Sequence, residues 1–391
     1  MKKSRPVIAV CHPRLLVGGG SEAAAVWICS ALKDDYSVVL ISMGPIDLDA
    51  LNQSYGAGLT DLDIRIIELP LPRIMNRMFD ALRIYGIIRY IRKNLSTFDV
   101  LISSYNPMDF GKPGIQFIGD FTFDDHLRQT LDTRIGEGIK FHHKPSFLRN
   151  LYHMLGRRLT GQSRDGWKNN VTVANSDWTG EILKTSFGVD SVTIHPSIIA
   201  DFPNVPFDRR EDGFICIGRL VPEKRIPLVI EIIKEIRRRG RPLHLHLIGR
   251  AEDKTYADGI KKLCSENQEW LFYEGEIYGQ EKNELISKHK YGISGRENEP
   301  FGITVAEYTK AGCLVWVPCG GGQVEIVDHP SLIYKDFSDA VTKIERVLQE
   351  QRLQKELLDH LKNQAELFST QNFVEKTKDI VHDFFRKNHT P

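Results

Sequence analysis

Residues 214–239 read FICIGRLVPEKRIPLVIEIIKEIRRR and contain one complete unit of the fold that we predict. The first five residues, Phe214–Gly218, form a short apolar run that predicts a buried strand. From Ile226 to Arg239, apolar residues recur at helical spacing between charged ones, which predicts an amphipathic helix. A buried strand followed closely by such a helix is typical of a parallel α/β sheet.

The same alternation of strand and helix patterns runs along most of the chain. The other predicted strands are Val7–Cys11, Ser37–Ser42, Ile64–Glu68, Val100–Ser103, Ile115–Ile118, Val171–Asn175, Leu243–Gly249, Leu271–Glu274, Tyr291–Ser294 and Leu314–Val317. The other predicted helices are Ser21–Leu32, Ile74–Lys93, Trp178–Phe187, Tyr256–Glu266, Glu281–Lys288 and Ile303–Lys310. Prolines and charged residues at 203–212 interrupt the alternation and indicate a linker near residue 204.

This organisation predicts an α/β protein of two doubly wound, Rossmann-like domains, residues 1–203 and 204–371. Ligands of open α/β sheets bind at the carboxyl ends of the strands. Two such domains facing each other would leave a cleft between them. We therefore expect the functional residues in loops that follow strands.

The composition argues against several classes of protein. Lys plus Arg is 52 and Asp plus Glu is 51, and the formal charge of +1 does not suit a nucleic-acid-binding protein. The six cysteines contain no Cys-x-x-Cys pair, so we expect small buried side chains in a reducing cytoplasm. No run of apolar residues reaches the roughly 18 residues of a membrane-spanning helix.

The stretch Glu299-Pro-Phe-Gly-Ile-Thr-Val-Ala-Glu307 follows a predicted strand. Pro300 and Gly302 keep Glu299 in the loop, and a helix is expected to begin near Phe301 with free N–H groups at its positive end. Carboxylates bind sugar hydroxyls well because each accepts several hydrogen bonds. The spacing therefore favours a site in which Glu299 and Glu307 bind sugar or ribose; the alternative is two solvated glutamates beside a turn.

The stretch Gly218-Arg-Leu-Val-Pro-Glu-Lys-Arg225 connects the strand and the helix of the opening unit. Arg219 and Lys224 lie on either side of a turn made by Pro222, so both can face one anion above a helix N-terminus. This arrangement favours a diphosphate site, with a solvated basic turn as the alternative.

A third stretch, Gly18-Gly-Gly-Ser-Glu22, follows the first predicted strand. Its glycines allow the backbone to approach a ligand closely, and Ser21 can cap the next helix. It matches neither the dinucleotide-binding Gly-x-Gly-x-x-Gly pattern nor a P-loop, so a plain glycine turn is the alternative.

Together these stretches resemble a family-4 retaining glycosyltransferase of the GT-B fold. The motifs that carry the resemblance are Glu299 and Glu307 around Pro-Phe-Gly, Arg219 with Lys224, Gly19-Gly20-Ser-Glu22, Val173-Ala-Asn-Ser-Asp-Trp-Thr179 before the linker, and the late glycine loop Gly321-Gly-Gln-Val-Glu-Ile-Val327. The resemblance covers residue 7 to about 388 and is strongest in the second half.

The resemblance implies transfer of a sugar from a nucleoside-diphosphate sugar to a carbohydrate, lipid-linked or other hydroxyl acceptor, as in polysaccharide or glycolipid biosynthesis, without a metal or other cofactor. It implies that Arg219 and Lys224 bind the diphosphate, Glu307 the ribose and Glu299 the transferred sugar. The further donor-binding residues that it implies are Gly19, Gly20, Gly218, Ile277, Phe301, Gly302 and Ile303. Arg219, Lys224 and Glu299 are also the candidates for catalysis in this half.

One position departs from the family pattern. The family often has a histidine after the strand that corresponds to Ile115–Ile118, whereas this chain reads Gln116-Phe-Ile-Gly-Asp120. Asp120 is therefore the catalytic candidate there, positioning the acceptor or a sugar hydroxyl, and His126 is a weaker candidate. The alternative for Asp120 is a helix N-cap.

Two helices outside these motifs carry further expectations. Residues 73–93 contain six cations, one acidic residue and an apolar stripe, which suits a helix on the anionic inner face of a membrane; the alternative is a core helix with a solvated face. The last helix, residues 372–391, has an apolar stripe, and the resemblance implies that it returns to the first domain.

Other interpretations stay open from the sequence. A sugar-nucleotide epimerase or a non-catalytic sugar-nucleotide-binding protein could use the same two-domain fold. The pairs Asp47-Leu-Asp49 and Asp61-Leu-Asp63 imitate the Asp-x-Asp metal site of other glycosyltransferases, but their polar surroundings indicate solvated turns. No spacing of His and Cys indicates zinc, so no metal site is expected.

Overall fold

The computed structural model describes residues 5–16, 20–70, 80–131 and 147–389. The chain divides into two compact units. Unit 1 comprises residues 1–128, 140–199 and 370–391, and unit 2 comprises residues 129–139 and 200–369. The division near residue 200 lies a few residues before the linker expected from the prolines at 203 and 206.

Unit 1 is built on a parallel sheet of seven strands in the order β3-β2-β1-β4-β5-β6-β7. The strands are β1 Val7–His12, β2 Ser37–Met43, β3 Ile64–Leu69, β4 Val100–Ser103, β5 Ile115–Ile118, β6 Val171–Ala174 and β7 Ser191–Thr193. Its first helices, in chain order, are α1 Gly20–Leu32, α2 Leu48–Tyr55, α3 Asp80–Lys93, α4 Asp125–Leu131, which runs into unit 2, α5 Phe147–Thr160 and α6 Asp177–Phe187.

Unit 2 is built on a parallel sheet of six strands in the order β10-β9-β8-β11-β12-β13. The strands are β8 Glu211–Ile217, β9 His244–Ile248, β10 Leu271–Gly275, β11 His289–Ile293, β12 Leu314–Pro318 and β13 Ile333–Tyr334. The helices are α7 Ile226–Arg238, α8 Lys254–Glu266, α9 Gly279–Lys288, α10 Ile303–Lys310, α11 Gln323–Val327, α12 Phe337–Gln349 and α13 Gln351–Ala365. Both sheets have the doubly wound α/β architecture that the alternation of patterns predicts.

The last helix, α14 (Thr370–His389), belongs to unit 1. Its apolar stripe lies in the unit 1 core through Phe373, Ile380, Val381 and Phe384, which pack with residues of α1 and of the sheet. The Phe373 ring meets Trp27 of α1 edge-on at 6.0 Å between centroids. The predicted return of the C-terminal helix to the first domain is therefore confirmed.

Local hydrogen bonds explain the two Asp-x-Asp pairs. Asp47 is the N-cap of α2 and accepts the N–H of Ala50 at 2.9 Å. Asp63 accepts both the N–H and the hydroxyl of Thr60 at 2.8 Å. Asp47 is thus an exposed helix N-cap, and Asp63 lies in the expected turn.

The composition led to expectations about the cysteines and about membrane-spanning helices. Five of the six cysteines are buried free thiols, but Cys319 is exposed, so the expectation of buried side chains is wrong at that position. Within the described residues, no helix is both long enough and apolar enough to cross a membrane.

The packing of α14 predicts that Phe384→Ala destabilises unit 1. Phe384 is 3% exposed, and truncation of a buried phenylalanine costs about 3–5 kcal/mol because a cavity remains. Chemical unfolding followed by tryptophan fluorescence should show this loss. Lys387→Ala, on an exposed position of the same helix, should change stability by less than about 0.5 kcal/mol. Equal stability of the two variants would contradict the role of α14 in this core.

Candidate active site

Three loops follow neighbouring strands at the carboxyl edge of the unit 2 sheet. Residues 218–225 follow β8, residues 294–302 follow β11, and residues 319–322 follow β12. Since the three strands are parallel neighbours, their loops lie side by side. The charged residues singled out in the sequence therefore come from loops that share one edge.

Lys224 and Glu299 form the central contact of this edge. Lys224 ends a short 3-10 turn, Pro222–Lys224, and its Nζ lies 2.8 Å from Glu299 Oε2. The two side chains are 19% and 16% exposed, so water screens the pair only in part. A Cβ at Gly218 would lie 3.1 Å from Lys224 Cε, so glycine there gives the lysine stem room to reach the glutamate.

Glu299 has a second cationic partner that the sequence analysis did not select. Arg296 Nη1 lies 3.2 Å from both carboxylate oxygens of Glu299. Burial opposes ionisation of this carboxyl, but the nearby charges of Arg296, Lys224 and Arg219 outweigh it and lower its pKa to about 2. Glu299 is therefore a carboxylate at neutral pH, and both of its oxygens are hydrogen-bond acceptors.

The late glycine loop holds the backbone of Glu299. Gly321 pairs with Glu299 as a parallel bridge, and the N–H of Gly322 donates to the Glu299 carbonyl at 2.8 Å. Gly321 has a φ of 80°, and a Cβ there would lie 2.4 Å from the Glu299 carbonyl oxygen. Gln323 adds a side-chain N–H to the carbonyl of Arg296 at 2.6 Å. The motif Gly321–Val327 thus fixes the loop that carries Glu299 and Arg296.

Helix α10 spans Ile303–Lys310 as predicted, and its start lies two residues after Phe301. Gly302 precedes it with φ 102° and ψ 64°, a left-handed conformation that a side chain would strain. Phe301 is buried and contacts Phe368 edge-on, while the N–H of Ile217 donates to the Tyr308 hydroxyl at 2.7 Å. These contacts anchor the helix so that its N-terminal N–H groups lie at the carboxyl edge of the sheet.

The other two predicted charged residues have partners of their own. Arg219, whose side chain is 48% exposed, forms an ion pair with Glu252 at 2.7 Å. Glu307 on α10 is buried and accepts a hydrogen bond from Lys282 Nζ at 2.5 Å. Arg219 and Lys224 thus each contact a different carboxylate, and their binding of one shared anion stays a prediction. Ile277 lies in the loop that follows β10, the edge strand beside β9.

Sequence reasoning missed Arg296, Glu252 and Lys282. Arg296 could have been selected from the sequence, because it lies only three residues before Glu299. Glu252 and Lys282 carry no such signal: Glu252 reaches Arg219 because β9 lies beside β8, and Lys282 reaches Glu307 through the packing of α9 and α10.

In unit 1, Asp120 follows β5 and is held by its neighbours. Its Oδ1 accepts the Asn106 amide at 2.7 Å, the Thr122 hydroxyl at 2.6 Å and the Thr122 N–H at 3.0 Å. The alternative that Asp120 caps a helix is wrong, because Asp124 caps α4 by accepting the N–H of Leu127 at 2.9 Å. Asp120 therefore has a fixed orientation at the carboxyl end of a strand.

The same edge of unit 1 carries a buried histidine. His12 ends β1 and is 2% exposed, and its Nδ1 accepts the N–H of Arg14 at 3.2 Å. Burial lowers its pKa to about 3, so the imidazole is neutral at physiological pH. Gly20 is the exposed first residue of α1, whereas Gly19 lies outside the described residues.

The structure changes the interpretation of the basic segment 73–93. Its first part, including Arg73 and Arg77, lies outside the described residues. In α3, Arg83 is buried and donates to the Met43 carbonyl at 2.5 Å, and Arg92 forms an ion pair with Asp109 at 2.9 Å. These two arginines stabilise the fold of unit 1, whereas Arg89 and Lys93 of the same helix are exposed.

A family model connects the site to known proteins. Residues 197–368 match the family described as "Glycosyl transferases group 1". The matched region contains Arg219, Lys224, Arg296, Glu299 and Glu307. Residues 197–368 are thus similar to group 1 glycosyltransferases, in agreement with the resemblance that the sequence motifs indicate.

Two curated relatives share part of the sequence. Both are named GDP-Man:Man(3)GlcNAc(2)-PP-Dol alpha-1,2-mannosyltransferase. The Candida glabrata protein is 26% identical over 168 residues, which are 39% of this chain and 33% of the relative. The Dictyostelium discoideum protein is 23% identical over 248 residues, which are 56% of this chain and 49% of the relative. The chain thus spans one third to one half of the length of these relatives.

Solved structures share the fold over nearly the whole chain. A glycosyltransferase from Rickettsia africae has a TM-score of 0.70 at 15% identity and covers 99% of this chain and 100% of its own. WaaG, a glycosyltransferase involved in lipopolysaccharide biosynthesis, has a TM-score of 0.67 at 14% identity, with 95% and 99% covered. HepE from Anabaena, in complex with UDP and glucose, has a TM-score of 0.67 at 12% identity, with 96% and 99% covered. The predicted GT-B fold is confirmed.

The site geometry predicts that Lys224→Ala weakens the binding of a nucleoside diphosphate by about 1.5–3 kcal/mol, the scale of a charge-assisted hydrogen bond. Calorimetric titration with the diphosphate measures this loss. Lys254→Ala is the matched control, since Lys254 is 91% exposed on α8 and pairs only with Asp258 of its own helix at the surface. If Lys224→Ala binds the diphosphate as tightly as this control, Lys224 is not a diphosphate ligand.

Proposed function

We propose that this chain is a retaining glycosyltransferase that moves mannose from GDP-mannose to a lipid-linked glycan at the cytoplasmic face of a membrane, without a metal ion. The observation that carries the proposal is the Lys224–Glu299 contact inside the region that matches group 1 glycosyltransferases. The donor and the acceptor class follow from the names of the two relatives, which are GDP-mannose-dependent enzymes of a PP-Dol-linked glycan.

Lys224 can bind a diphosphate without leaving Glu299. An ammonium group has three N–H donors, and Glu299 Oε2 takes one of them. The others are available to phosphate oxygens above the N-terminus of α7, where the helix dipole also favours an anion. Lys224 then connects the diphosphate to the carboxylate that binds the sugar.

Arg219 can join the diphosphate at little cost. Its ion pair with Glu252 is half-exposed, and such surface pairs contribute only up to about 1 kcal/mol. An arriving diphosphate carries more charge than one carboxylate and offers several oxygens to the guanidinium. We therefore expect Arg219 to exchange Glu252 for the donor.

Glu299 and Glu307 would bind the two sugar rings of the donor. Glu299 is ionised at neutral pH because Arg296 and Lys224 hold its pKa near 2 against the opposing effect of burial. It therefore accepts hydrogen bonds from hydroxyls of the transferred sugar. Glu307, held by Lys282 near the start of α10, would accept them from the ribose.

The proposed chemistry is cleavage of the bond between the anomeric carbon and the diphosphate oxygen. The electron pair of that bond leaves with GDP, whose added charge Lys224, Arg219 and the N-terminus of α10 would stabilise in place of a metal ion. The acceptor hydroxyl forms the new bond on the same face, and its proton passes to the departing phosphate. Asp120 in unit 1 is the residue that we propose to orient this hydroxyl.

The proposal predicts that GDP raises the unfolding temperature of the protein more than UDP or dTDP, since a ligand stabilises the state that binds it.

It also predicts that mannose transfer from GDP-mannose to a lipid-linked glycan acceptor persists in excess EDTA, because cationic side chains replace the metal. Thermal unfolding and product analysis by mass spectrometry measure the two effects.

The other outcomes separate the competing functions. Preference for UDP would replace the donor but keep the enzyme class. Conversion of the sugar to its epimer without transfer would indicate an epimerase, and GDP-mannose binding without any product would indicate a sugar-nucleotide-binding protein. Loss of transfer in EDTA that Mg²⁺ restores would overturn metal independence.

A membrane-bound acceptor requires a docking surface, and α5 offers one. Its exposed apolar side chains are Phe147, Leu151, Met154, Leu155 and Leu159, which recur on one helical face. The opposite face packs on α3, where the Tyr85 hydroxyl contacts His153 Nδ1 at 3.1 Å. Arg157 and Arg158 add positive charge near the C-terminal end of the helix. We propose that this face lies on an anionic bilayer.

This docking surface predicts binding to anionic but not to neutral liposomes. Met154→Ser with Leu159→Ser should weaken that binding at least about tenfold, because each buried apolar side chain contributes about 1.5–3 kcal/mol. Val192→Ser is the matched control, since Val192 is 51% exposed on β7, outside α5. Liposome sedimentation decides: if the double variant sediments like the control, α5 is not the docking helix.

A further inference from the structure

Three histidines meet at the edge of the unit 2 sheet where the strands begin. His244 and His246 lie on β9, and His289 is the first residue of β11. One potential ligand atom from each residue lies within 4.8 Å of the others. Ring centroids are 5.1 Å apart for His244 with His246 and with His289, and 4.6 Å apart for His246 with His289. This edge is opposite to the one that carries Lys224 and Glu299.

The strand order brings these side chains together. Strand β8 lies between β9 and β11, with Gly213 opposite His244 and Glu211 opposite His289. A Cβ at Gly213 would lie 2.0 Å from His244 Nε2. The His244 ring therefore crosses β8 above a position that only glycine leaves open, and it reaches His289 on the far side.

Outer hydrogen bonds fix the proton on two of the rings. His289 Nδ1 lies 2.7 Å from the Leu285 carbonyl oxygen, which can only accept, so Nδ1 carries the hydrogen. His246 Nδ1 lies 2.6 Å from Glu274 Oε1 and is the donor to that carboxylate. In the neutral rings, Nε2 is then a lone-pair donor to a metal. Carbonyl and carboxylate groups behind histidines are the usual supports of metal ligands.

The centre of the cluster holds two unpartnered ring nitrogens and a nearby carboxylate. Nε2 of His244 and Nε2 of His289 are buried without a hydrogen-bond partner, and the His289 side chain is 1% exposed. Glu211 Oε2 lies 3.4 Å from the first nitrogen and 3.7 Å from the second. Two ring nitrogens without a hydrogen-bond partner and one carboxylate oxygen thus converge, and a cation would supply the partner that each of them lacks.

We propose that His244, His246 and His289, with Glu211 as the fourth ligand, bind a Zn²⁺ ion. Imidazole nitrogens and one carboxylate oxygen are ligands that Zn²⁺ takes in tetrahedral sites. Bonds of about 2.1 Å place tetrahedral ligand atoms about 3.4 Å apart, so small ring rotations must close the cluster. The Glu211 side chain is 57% exposed and can turn inward.

The proposed ion is structural. It would join the beginnings of β8, β9 and β11 at the edge of the sheet away from the donor residues. It therefore does not depend on the proposed sugar transfer, and its removal should lower stability while leaving the affinity for GDP unchanged.

The test is a zinc titration of the full chain after treatment with a chelator and dialysis. A competing chromogenic chelator reports affinity and stoichiometry, and Co²⁺ in place of Zn²⁺ reports geometry through its visible absorption. We expect one tightly bound ion per chain, a tetrahedral Co²⁺ spectrum, and a higher unfolding temperature with zinc. His244→Gln and His246→Gln should each weaken zinc binding at least about tenfold and abolish the spectrum.

The zinc titration has a control variant and independent checks of folding. His382→Gln removes an exposed histidine of α14 and should bind zinc like the wild type. Circular dichroism and GDP binding show whether each variant is folded, and the Co²⁺ spectrum of the wild type needs no variant. No zinc binding by the wild type, or equal affinity in His244→Gln, His246→Gln and His382→Gln, would overturn the site.

Discussion

The half-buried ion pair between Lys224 and Glu299 connects the loops that end β8 and β11. Such a pair is stable only when both partners are held in place and their remaining polar atoms are satisfied. Arg296 donates a hydrogen bond to the Glu299 carboxylate. Gly322, in the loop after β12, donates its N–H to the Glu299 carbonyl and so holds the backbone of Glu299. Gly218 leaves the space that the lysine stem needs. Gly218 and Gly322, from two different motifs, therefore both help to position the Glu299 carboxylate.

The architecture could be predicted from the sequence because parallel strands buried on both faces are short apolar runs. All eleven predicted strands are present within a few residues of their predicted bounds, whereas β7 and β13 were missed because they contain only three and two residues. Six helices of the described residues were also missed, namely α2, α4, α5, α11, α12 and α13. The buried stripe of α12 at Ala340, Val341, Ile344, Val347 and Leu348 has clear helical spacing, so that omission was not a limit of the sequence.

The site could be predicted only in part, because a motif shows which residues lie in a loop and not which loops are neighbours. Lys224 and Glu299 were both selected, but their contact across 75 residues depends on β8 lying beside β11. The same limit applies at the opposite edge, where His289 meets His244 and His246 only because of that strand order. Sequence spacing shows only His244-Leu-His246 on one face of a strand, and nothing in it connects the distant His289, so the cluster was missed.

The position of α14 has a consequence for the order in which the chain matures during translation. Most of unit 1 precedes unit 2 in the chain and leaves the ribosome before it, yet the core of unit 1 includes Phe373, Val381 and Phe384, which follow unit 2. Unit 2 has no such dependence, because its last described residues, up to 369, precede α14. N-terminal domains usually fold first during synthesis. Unit 2 can therefore complete its core while the core of unit 1 still lacks α14. During that time the exposed apolar surface of the unit 1 sheet needs to be bound by chaperones.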